Sequence, residues 1–426
     1  MNVVVIGSGG RENAIAYKIK HSHGLNKLFI LPGNPGTENL GINVDIDIMD
    51  NQAIVDFCKS NAIDLVVIGP EIPLVNAMAD VLRENNINVF GPDKLAAEIE
   101  GNKAFAKDLM QKYNIPTAGF KIFEKSCYSQ ALDYIESAAY PLVIKASGLA
   151  AGKGVLICQN NVEAKEALKD CFEDEAFGLS GSTVVVEEFM VGQEASVFAI
   201  TDGENFISLP AAQDHKRIGN NDQGKNTGGM GAYAPAPIVT PEIQAEIDET
   251  ITAPVLQALK KEGRTFVGCL YVGLMLTSDG PKVVEFNCRF GDPETQAVLP
   301  LLDGNFLQLL YSASIGKIDK ASVIYSGGAA ICIVAASKGY PDKYEKGLEI
   351  TGLDDASGND ILVFHAGTKK VKGKVVSSGG RVLGVTAVVK ENDLALCKAK
   401  AYEALKKIHF DNIYYRTDIA DKALKK

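Results

Sequence analysis

The chain has 426 residues, 46% hydrophobic and 23% charged, with a formal net charge of -10 at pH 7. That length suits about two to four packed units, and the composition excludes disordered, collagen-like and low-complexity classes. The acidic balance argues against a general nucleic-acid binder, whose phosphate partners demand clustered positive surface, but leaves local basic pockets for small phosphates open.

The sequence runs straight into MNVVVIGSGG without a basic leader, which argues against a secretory signal. Its longest apolar runs, such as YSGGAAICIVAAS, fall short of the ~18 residues that a membrane-spanning helix needs. Eight cysteines stand singly, without CxxC spacing or histidine company, and read as buried free thiols of a reducing, cytoplasmic setting.

In chain order, NVVVIG, KLFIL, DLVVIG and NVF predict strands. They alternate with helices over Arg11–His21, Asn51–Ser60 and Pro73–Asn85, the pattern of a doubly wound parallel α/β sheet. Glycines after the strands (Gly7, Gly33, Gly69) suit ligand approach at the carboxyl edge. A helix is expected over Lys94–Tyr113, closed by Pro116. An α+β unit follows over Gly119–Phe198, then further strands, a polar glycine-rich stretch and a helix over Glu242–Lys261. After ASVIYSGG a last α+β unit is expected, with strands at AAICIVA, ILVFHAG, KVVSS and VLGVTAVV and a helix ending at His409. There is no internal repeat and no long linker.

Several stretches carry chemistry. Gly7-Ser8-Gly9-Gly10-Arg11-Glu12 follows a strand and opens a helix, which aims backbone N–H groups at an anion. Glu12 replaces the third glycine of a dinucleotide fingerprint, and the second strand ends in LPGNPG without a ribose-binding acid, so NAD is disfavoured against a structural turn or a monophosphate site. Lys145 ends an apolar strand before Ser147-Gly148-Leu149-Ala150-Ala151-Gly152-Lys153-Gly154, a loop of small residues suited to phosphate oxygens but lacking Walker A spacing. A buried ammonium at Lys145 requires an anionic partner.

Val184-Val185-Val186-Glu187-Glu188-Phe189-Met190, followed by Glu194, offers an apolar slot with acids at its end; exposed acids after a strand are the bland alternative. Glu285, Asn287 and Arg289 alternate along one strand face: a carboxylate, an amide oxygen and a guanidinium suited to magnesium and polyphosphate. Asp214-His215-Lys216-Arg217 and Asn226-Thr227-Gly228-Gly229-Met230-Gly231 flank a polar loop that reads equally as an anion site or as a surface loop. His21 and His23 lack metal-ligand company, and neither an HExxH zinc motif nor a GxSxG elbow is present.

Taken in order, the strand-ending lysine with its glycine loop, the EEFM segment and the EFNCR strand resemble the ATP-grasp ligases. Within that superfamily the chain is similar to the phosphoribosylamine–glycine ligase family. The similarity rests on GSGGRENA, GNPGT, GPEIPL, KASGLAAGKGV, QDHKR, NTGGMGAYAPAP, EFNCRFGDPETQ, SKGYPDKYEKG and FHAGT, which match in that order.

The resemblance implies a multidomain α/β and α+β fold. Its parts would be a doubly wound N-terminal domain (1–101), an ATP-grasp region (102–328, with a smaller nucleotide-clasping subdomain over 119–190) and an α+β C-terminal domain (329–426). It implies an enzyme that joins glycine to 5-phosphoribosylamine through glycyl phosphate, with ATP as substrate and Mg2+ (alternatively Mn2+) as the metal; the sequence leaves the assembly open between a monomer and a small homo-oligomer. Lys103 and Lys145 would reach the ATP phosphates, with Ser147, Gly148, Gly152, Lys153 and Gly154 in the flap. Glu187 would take the adenine amine, Glu188 and Met190 would frame the ring, and Glu194 would hold the ribose. Glu285 and Asn287 would ligate the metal, and Arg289 would steady the transferring phosphoryl group. Gly9, Gly10, Glu12, Asn34, Pro35, Gly36, Thr37, Glu71, Asp214, Lys216, Gly229, Met230, Arg289 and Asp292 are the candidates for the two remaining substrates.

The sequence departs from the family pattern in several places. Asn13 stands where the family usually has histidine, Asn220-Asn221-Asp222 where it has DGD, and Lys225 where it has proline. Tyr271 stands where many ATP-grasp enzymes have a second metal carboxylate. Rival readings are another ATP-grasp carboxylate–amine ligase and a non-catalytic ATP sensor.

Overall fold

The computed structural model describes residues 1–150, 154–173 and 178–424. Its first unit is a five-stranded parallel sheet in the order β3-β2-β1-β4-β5: β1 (Asn2–Gly7), β2 (Lys27–Pro32), β3 (Ile42–Asn43), β4 (Leu65–Ile68) and β5 (Val89–Phe90). The strand order reverses about β1, the expected doubly wound arrangement, and the turns after β1, β2 and β4 open on one edge. Helices α1 (Gly10–Lys20) and α2 (Asn51–Ser60) fall where the amphipathic pattern puts them.

The helix expected over Pro73–Asn85 is broken in two, α3 (Glu71–Val75) and α4 (Met78–Glu84), because Ala77 takes a left-handed conformation at φ 64°. The helix expected over Lys94–Tyr113 is also two, α5 (Lys94–Gly101) and α6 (Lys103–Lys112). Asn102 is extended, and its side chain caps α6 by accepting from the Phe105 N–H. That corner turns Lys103 and Glu100 toward the same cleft.

Residues 120–188 form a separate antiparallel sheet in the order β6-β9-β7-β8: β6 (Phe120–Glu124), β7 (Leu142–Ala146), β8 (Val155–Cys158) and β9 (Thr183–Glu188). It is backed by α7 (Tyr128–Ser137) and α8 (Asn161–Phe172). This unit has its own core, including Ile135, Ile144, Leu168, Phe172 and Val186.

The next sheet, order β11-β10-β16-β17, is also antiparallel and contains β10 (Gln193–Thr201) and β11 (Phe206–Ser208). The chain then passes through β12 (Gln213–Asp214), the hairpin of β13 (Arg217–Gly219) and β14 (Gln223–Asn226), and β15 (Gly231–Ala234). Helices α9 (Pro241–Ile247) and α10 (Ala253–Lys261) are joined by a π turn over Asp248–Thr252. They lead into β16 (Gly268–Thr277) and β17 (Gly280–Asn287).

After α11 (Glu294–Val298), β18 (Leu302–Gly304), α12 (Phe306–Ser314) and β19 (Val323–Tyr325) comes β20 (Ala329–Ser337). Beyond α13 (Leu353–Ala356) lie β21 (Ile361–His365), the β22 (Thr368–Val371) and β23 (Lys374–Ser377) hairpin, β24 (Arg381–Val389), α14 (Leu394–Leu405) and β25 (Ile413–Tyr414). The sheet order β12-β15-β20-β24-β21, with β25 on β20, threads residues 213–234 into the last unit. One continuous hydrophobic cluster joins Val4, Leu270, Phe286, Ile331 and Val385, so the first, third and last units share a core.

All eight cysteines are free, and seven are buried. Among the described residues no helix is long and apolar enough to cross a membrane.

Candidate active site

The cleft lies between the small sheet and the β10–β17 sheet. Lys145, at the end of β7, is 4% exposed; its Nζ lies 3.0 Å from Glu187 Oε1 and donates to the Val284 carbonyl at 2.9 Å. The partner that the buried ammonium requires is therefore Glu187. That carboxylate is also 3.2 Å from Lys107 Nζ, which donates to Thr117 Oγ1 at 2.7 Å. Burial, opposed by Glu187 and reinforced by Lys145, pulls the Lys107 ammonium down to about 8. Lys107 was absent from the sequence-based site, although its i,i+4 spacing from Lys103 places both on one face of α6.

Lys103 Nζ donates to the Gly148 carbonyl at 3.0 Å, and the Lys103 N–H to Ser147 O at 2.8 Å. Ser147 Oγ accepts from the Ala104 N–H and donates to Asn102 Oδ1. The base of the glycine loop is thereby stitched to the start of α6, and Gly154 O accepts from the Ala146 N–H at 2.8 Å. Gly152 and Lys153 lie outside the described residues. The Glu188 carboxylate turns away to accept from the Gly119 N–H at 2.9 Å, and Met190 is half-buried beyond it.

Glu285 sits opposite Gly273 on β17, and Asn287 opposite Tyr271. Burial would raise the Glu285 carboxyl, but Lys216, Lys145, Lys103 and Arg289 outweigh it and hold it below its ordinary value. Lys216 Nζ lies 2.9 Å from Glu194 Oε2 and 3.7 Å from Glu285 Oε1. Asp214 is buried beside this pair. Burial, opposed by Lys216 and reinforced by Glu294, Glu194 and Glu285, pushes its carboxyl up to about 8. Tyr271 is buried, its hydroxyl 2.9 Å from Ser196 Oγ, which donates to Glu294 Oε1 at 3.1 Å. Burial drives this phenol far above its ordinary value, so it stays neutral.

Arg289 lies just past β17. Its Nη2 is 2.7 Å from Glu100 Oε1 and its Nε 3.2 Å from Glu71 Oε2. Glu100 Oε2 accepts from the Cys288 N–H at 2.7 Å. No spacing in the sequence pointed to Glu100; its place depends on the corner at Asn102. Burial opposes the charge on Glu71, but Arg289 and Arg11 outweigh it and bring the carboxyl down to about 2.

The glycine turn after β1 holds a carboxylate of the chain itself. Glu12 Oε2 accepts from the Gly9 N–H at 2.7 Å, and Oε1 from Arg11 Nε at 2.5 Å. A Cβ at Gly69 would lie 2.3 Å from Glu12 Oε1, and one at Gly7 2.5 Å from Glu12 Cγ. These glycines make room for Glu12. A Cβ at Gly10 would lie 2.6 Å from Gln296 Nε2.

The second turn is braced internally. Asn34 Oδ1 accepts from the Gly36 and Thr37 N–H groups, and Thr37 Oγ1 accepts from the Asn34 N–H. Pro35 is buried between them, and Asn34 Nδ2 donates to Ser8 O and His365 O. Asn13 Oδ1 accepts from the His365 N–H at 2.7 Å, so this departure from the family pattern ties α1 to β21. Asp292 Oδ1 accepts from Gln296 at 2.9 Å and lies 3.2 Å from Arg381 Nη1, which also donates to Gly228 O and Asp292 O. Gly229 packs against Pro293, with φ +108° and no room for a side chain, and Met230 is fully buried.

Three family models match the chain: the phosphoribosylglycinamide synthetase N domain over residues 1–100, its ATP-grasp (A) domain over 101–295 and its C domain over 330–422. The chain is 50% identical over 427 residues to a phosphoribosylamine–glycine ligase of Leptospira interrogans, covering 100% of this chain and 99% of the relative. It superposes on the crystal structure of the Thermotoga maritima phosphoribosylamine–glycine ligase with a TM-score of 0.85 at 36% identity, covering 99% of this chain and 100% of that one. The biotin carboxylase of Campylobacter jejuni shares the fold, with a TM-score of 0.74 at 16% identity over 97% of this chain and 93% of that one.

Proposed function

The chain belongs to the phosphoribosylamine–glycine ligase family of ATP-grasp enzymes, and from that premise we propose how its residues divide the work. It is an ATP-dependent ligase that joins glycine to 5-phosphoribosylamine, giving glycinamide ribonucleotide, ADP and phosphate. The observation that carries the residue assignment is the meeting of two charged groups, Lys145 and Lys107 on Glu187 and Lys216 on Glu194 and Glu285, bridged where Lys145 donates to the Val284 carbonyl and where Lys145 and Lys103 act on Glu285.

Lys103 and Lys145 hold the ATP phosphates, with Ser147 and Gly148 beside them. Glu187 faces the adenine amine, the backbone of Glu188 and Met190 frames the ring, and Glu194 holds the ribose. A nucleotide arriving here displaces the ion pairs that Glu187 and Glu194 make within the chain, so Lys145 and Lys216 exchange carboxylate partners for substrate anions.

Glycine's carboxylate attacks the γ-phosphorus while Arg289, kept cationic by Glu100 and Glu71, meets the charge on the phosphoryl oxygens. The amine of phosphoribosylamine then attacks the acyl carbon and phosphate leaves. Asp214, whose carboxyl is raised toward neutrality, is placed to exchange a proton with an amine, and Lys216 to hold an anionic group. Glu71, Asp292, Gly229 and the two N-domain turns complete the acceptor end. An acyl phosphate hydrolyses readily, so exclusion of water from the site has a chemical purpose.

The residues present fit magnesium. Glu285 is held ionised, Asn287 offers an amide oxygen on the same strand, and among the described residues no group of three His, Cys, Asp or Glu forms a protein-only cage. A hard cation that keeps waters and takes phosphate oxygens matches that sparse set. When bound, Mg2+ or its alternative Mn2+ supplies neutralisation of the phosphate charge. The neutral Tyr271 adds no carboxylate for a second ion.

The spans of the three family models, 1–100, 101–295 and 330–422, support the breaks proposed near 101 and 329 and leave residues 296–329 outside all three. A cytoplasmic setting is supported by the free thiols. The test is ADP formation with MgATP, glycine and phosphoribosylamine made in situ, omitting each in turn. ADP requiring all three, with glycinamide ribonucleotide in the mass spectrum, is expected; ADP release with other acids or amines instead would discard the substrate assignment.

A further inference from the structure

Among the described residues Arg416 is the largest fully buried side chain, with 1% side-chain exposure, and it lies far along the sequence from every residue assigned above. Its guanidinium spends four of its five N–H groups within the chain. Nε and Nη2 grip the two oxygens of Asp418 at 2.8 and 2.7 Å, while Nη1 donates to Asp222 Oδ1 at 2.9 Å and to the Arg217 carbonyl at 3.0 Å. The planar fork therefore joins the segment 413–422 to the β13–β14 hairpin, which begins immediately after Lys216.

The same two segments meet at four more points. Thr417 N–H donates to Asn220 Oδ1 at 3.0 Å, and Asn220 Nδ2 returns to Thr417 Oγ1 at 2.7 Å. The Asn221 N–H donates to Asp418 Oδ2 at 2.8 Å, the Tyr414 hydroxyl donates to Ile218 O at 2.8 Å, and Lys422 lies 2.6 Å from Asp222. Asn221 and Asp222 both take the left-handed conformation, at φ 56° and 54°, which short polar side chains tolerate. Asn220 and Asn221, which depart from the family pattern, thus hold the hairpin tip. Lys225, the third departure, lies 2.8 Å from Asp342 at the other arm.

The geometry reaches the cleft just past β12, where the chain stays extended along residues 230 and 231: the His215 N–H donates to the Gly231 carbonyl at 2.9 Å and the His215 carbonyl accepts from the Met230 N–H at 2.8 Å. Asp214 and Lys216 share one face, and His215 between them points to the other. The His215 ring is buried, neither nitrogen has a hydrogen-bond partner, and the charges acting on it come from Lys422, Arg416, Asp222 and Asp418. The Lys216 carbonyl accepts from both the N–H and the hydroxyl of Thr227 at 2.8 Å, which closes the hairpin at its root.

We propose that the segment 413–422, acting through Arg416, is a positioning device that fixes the hairpin and thereby the direction of Asp214 and Lys216 at the acceptor end of the site. Arg416 is a positioning residue and touches no substrate. The inference rests on the reading that Asp214 and Lys216 meet glycine or phosphoribosylamine.

The test compares Arg416→Ala, Arg416→Lys and Asp222→Asn with wild type in the full chain. Arg416→Ala is expected to bind a non-hydrolysable ATP analogue within about twofold of wild type, while kcat/KM for the affected acceptor falls about 10- to 100-fold, the range of a lost charge-assisted contact. Arg416→Lys, lacking the fork, should not recover it. Low-millimolar guanidinium ion should raise the activity of Arg416→Ala and leave wild type unchanged, a response that general loosening of the fold does not produce.

If Arg416→Ala fails to fold, Asp222→Asn decides: half-exposed and at the edge of the clamp, it should lower the same kcat/KM about 3- to 10-fold. A folded Arg416→Ala enzyme, or a folded Asp222→Asn enzyme, with wild-type kcat/KM for both acceptors overturns the proposal. Lys216→Ala run in parallel separates the two levels: if it is defective while Arg416→Ala is not, only the clamp fails. If Lys216→Ala is itself unaffected, the substrate reading falls and the clamp with it.

Discussion

Glu100 Oε1 meets Arg289 Nη2 at 2.7 Å, and its other oxygen takes the Cys288 N–H at the same distance. One carboxylate thus fixes both the guanidinium and the backbone that follows Asn287. Glu100→Gln keeps the shape and loses the charge. Charge-assisted hydrogen bonds contribute about 1.5–3 kcal/mol, so kcat should fall about 10- to 100-fold with the ATP dissociation constant unchanged. Single-turnover kinetics beside an ATP-analogue titration checks this; an unchanged single-turnover rate would remove Glu100 from the account.

Glu285 is the carboxylate offered to the metal. Glu285→Ala should leave the melting temperature near wild type, lower kcat by about tenfold or more and raise the magnesium concentration for half-maximal activity. A magnesium activation curve checks it. Wild-type turnover at low magnesium would show that the metal is held elsewhere.

Gly69 borders the Glu12 carboxylate so closely that Gly69→Ala forces Glu12 to move. Overpacking of this kind costs about 1–3 kcal/mol. Denaturant unfolding should show that loss, and most of it should vanish when Glu12→Ala is added. A strictly additive pair would mean that the glycine has some other purpose.

His365 is 8% exposed beside Thr368, and burial, the leading cause, pulls its imidazole down to about 4. Its folded value lies below the unfolded value of about 6.5, so the unfolded chain binds the extra proton in between. Stability should be unaffected above that window and fall on acidification through it, by on the order of 3 kcal/mol from this group. His365→Asn should flatten the dependence of the urea midpoint between pH 4.5 and 7, leaving the part due to His215, which burial also brings down to about 4. An identical slope in the variant would contradict the assignment.

The parallel sheet, the separate α+β unit and the strand ending in Glu285 and Asn287 were legible because apolar periodicity is local. The break at Asn102 was hidden by a helical pattern that continues on both sides of it. The bond from the Gly9 N–H to the Glu12 carboxylate was hidden in a different way, since the room for that side chain is visible only once Gly69 is brought beside Gly7. Lys107 was recoverable from its spacing to Lys103. Arg416 and Glu100 were not, since each acts across a sequence separation that no periodicity spans.

In the proposed reaction glycine's carboxylate is phosphorylated before the amine attacks. This order is tested most directly with glycine labelled by oxygen-18 in both carboxylate oxygens, turned over with MgATP and phosphoribosylamine. One labelled oxygen is expected in the released inorganic phosphate and one retained in the amide. Phosphate free of label would contradict it.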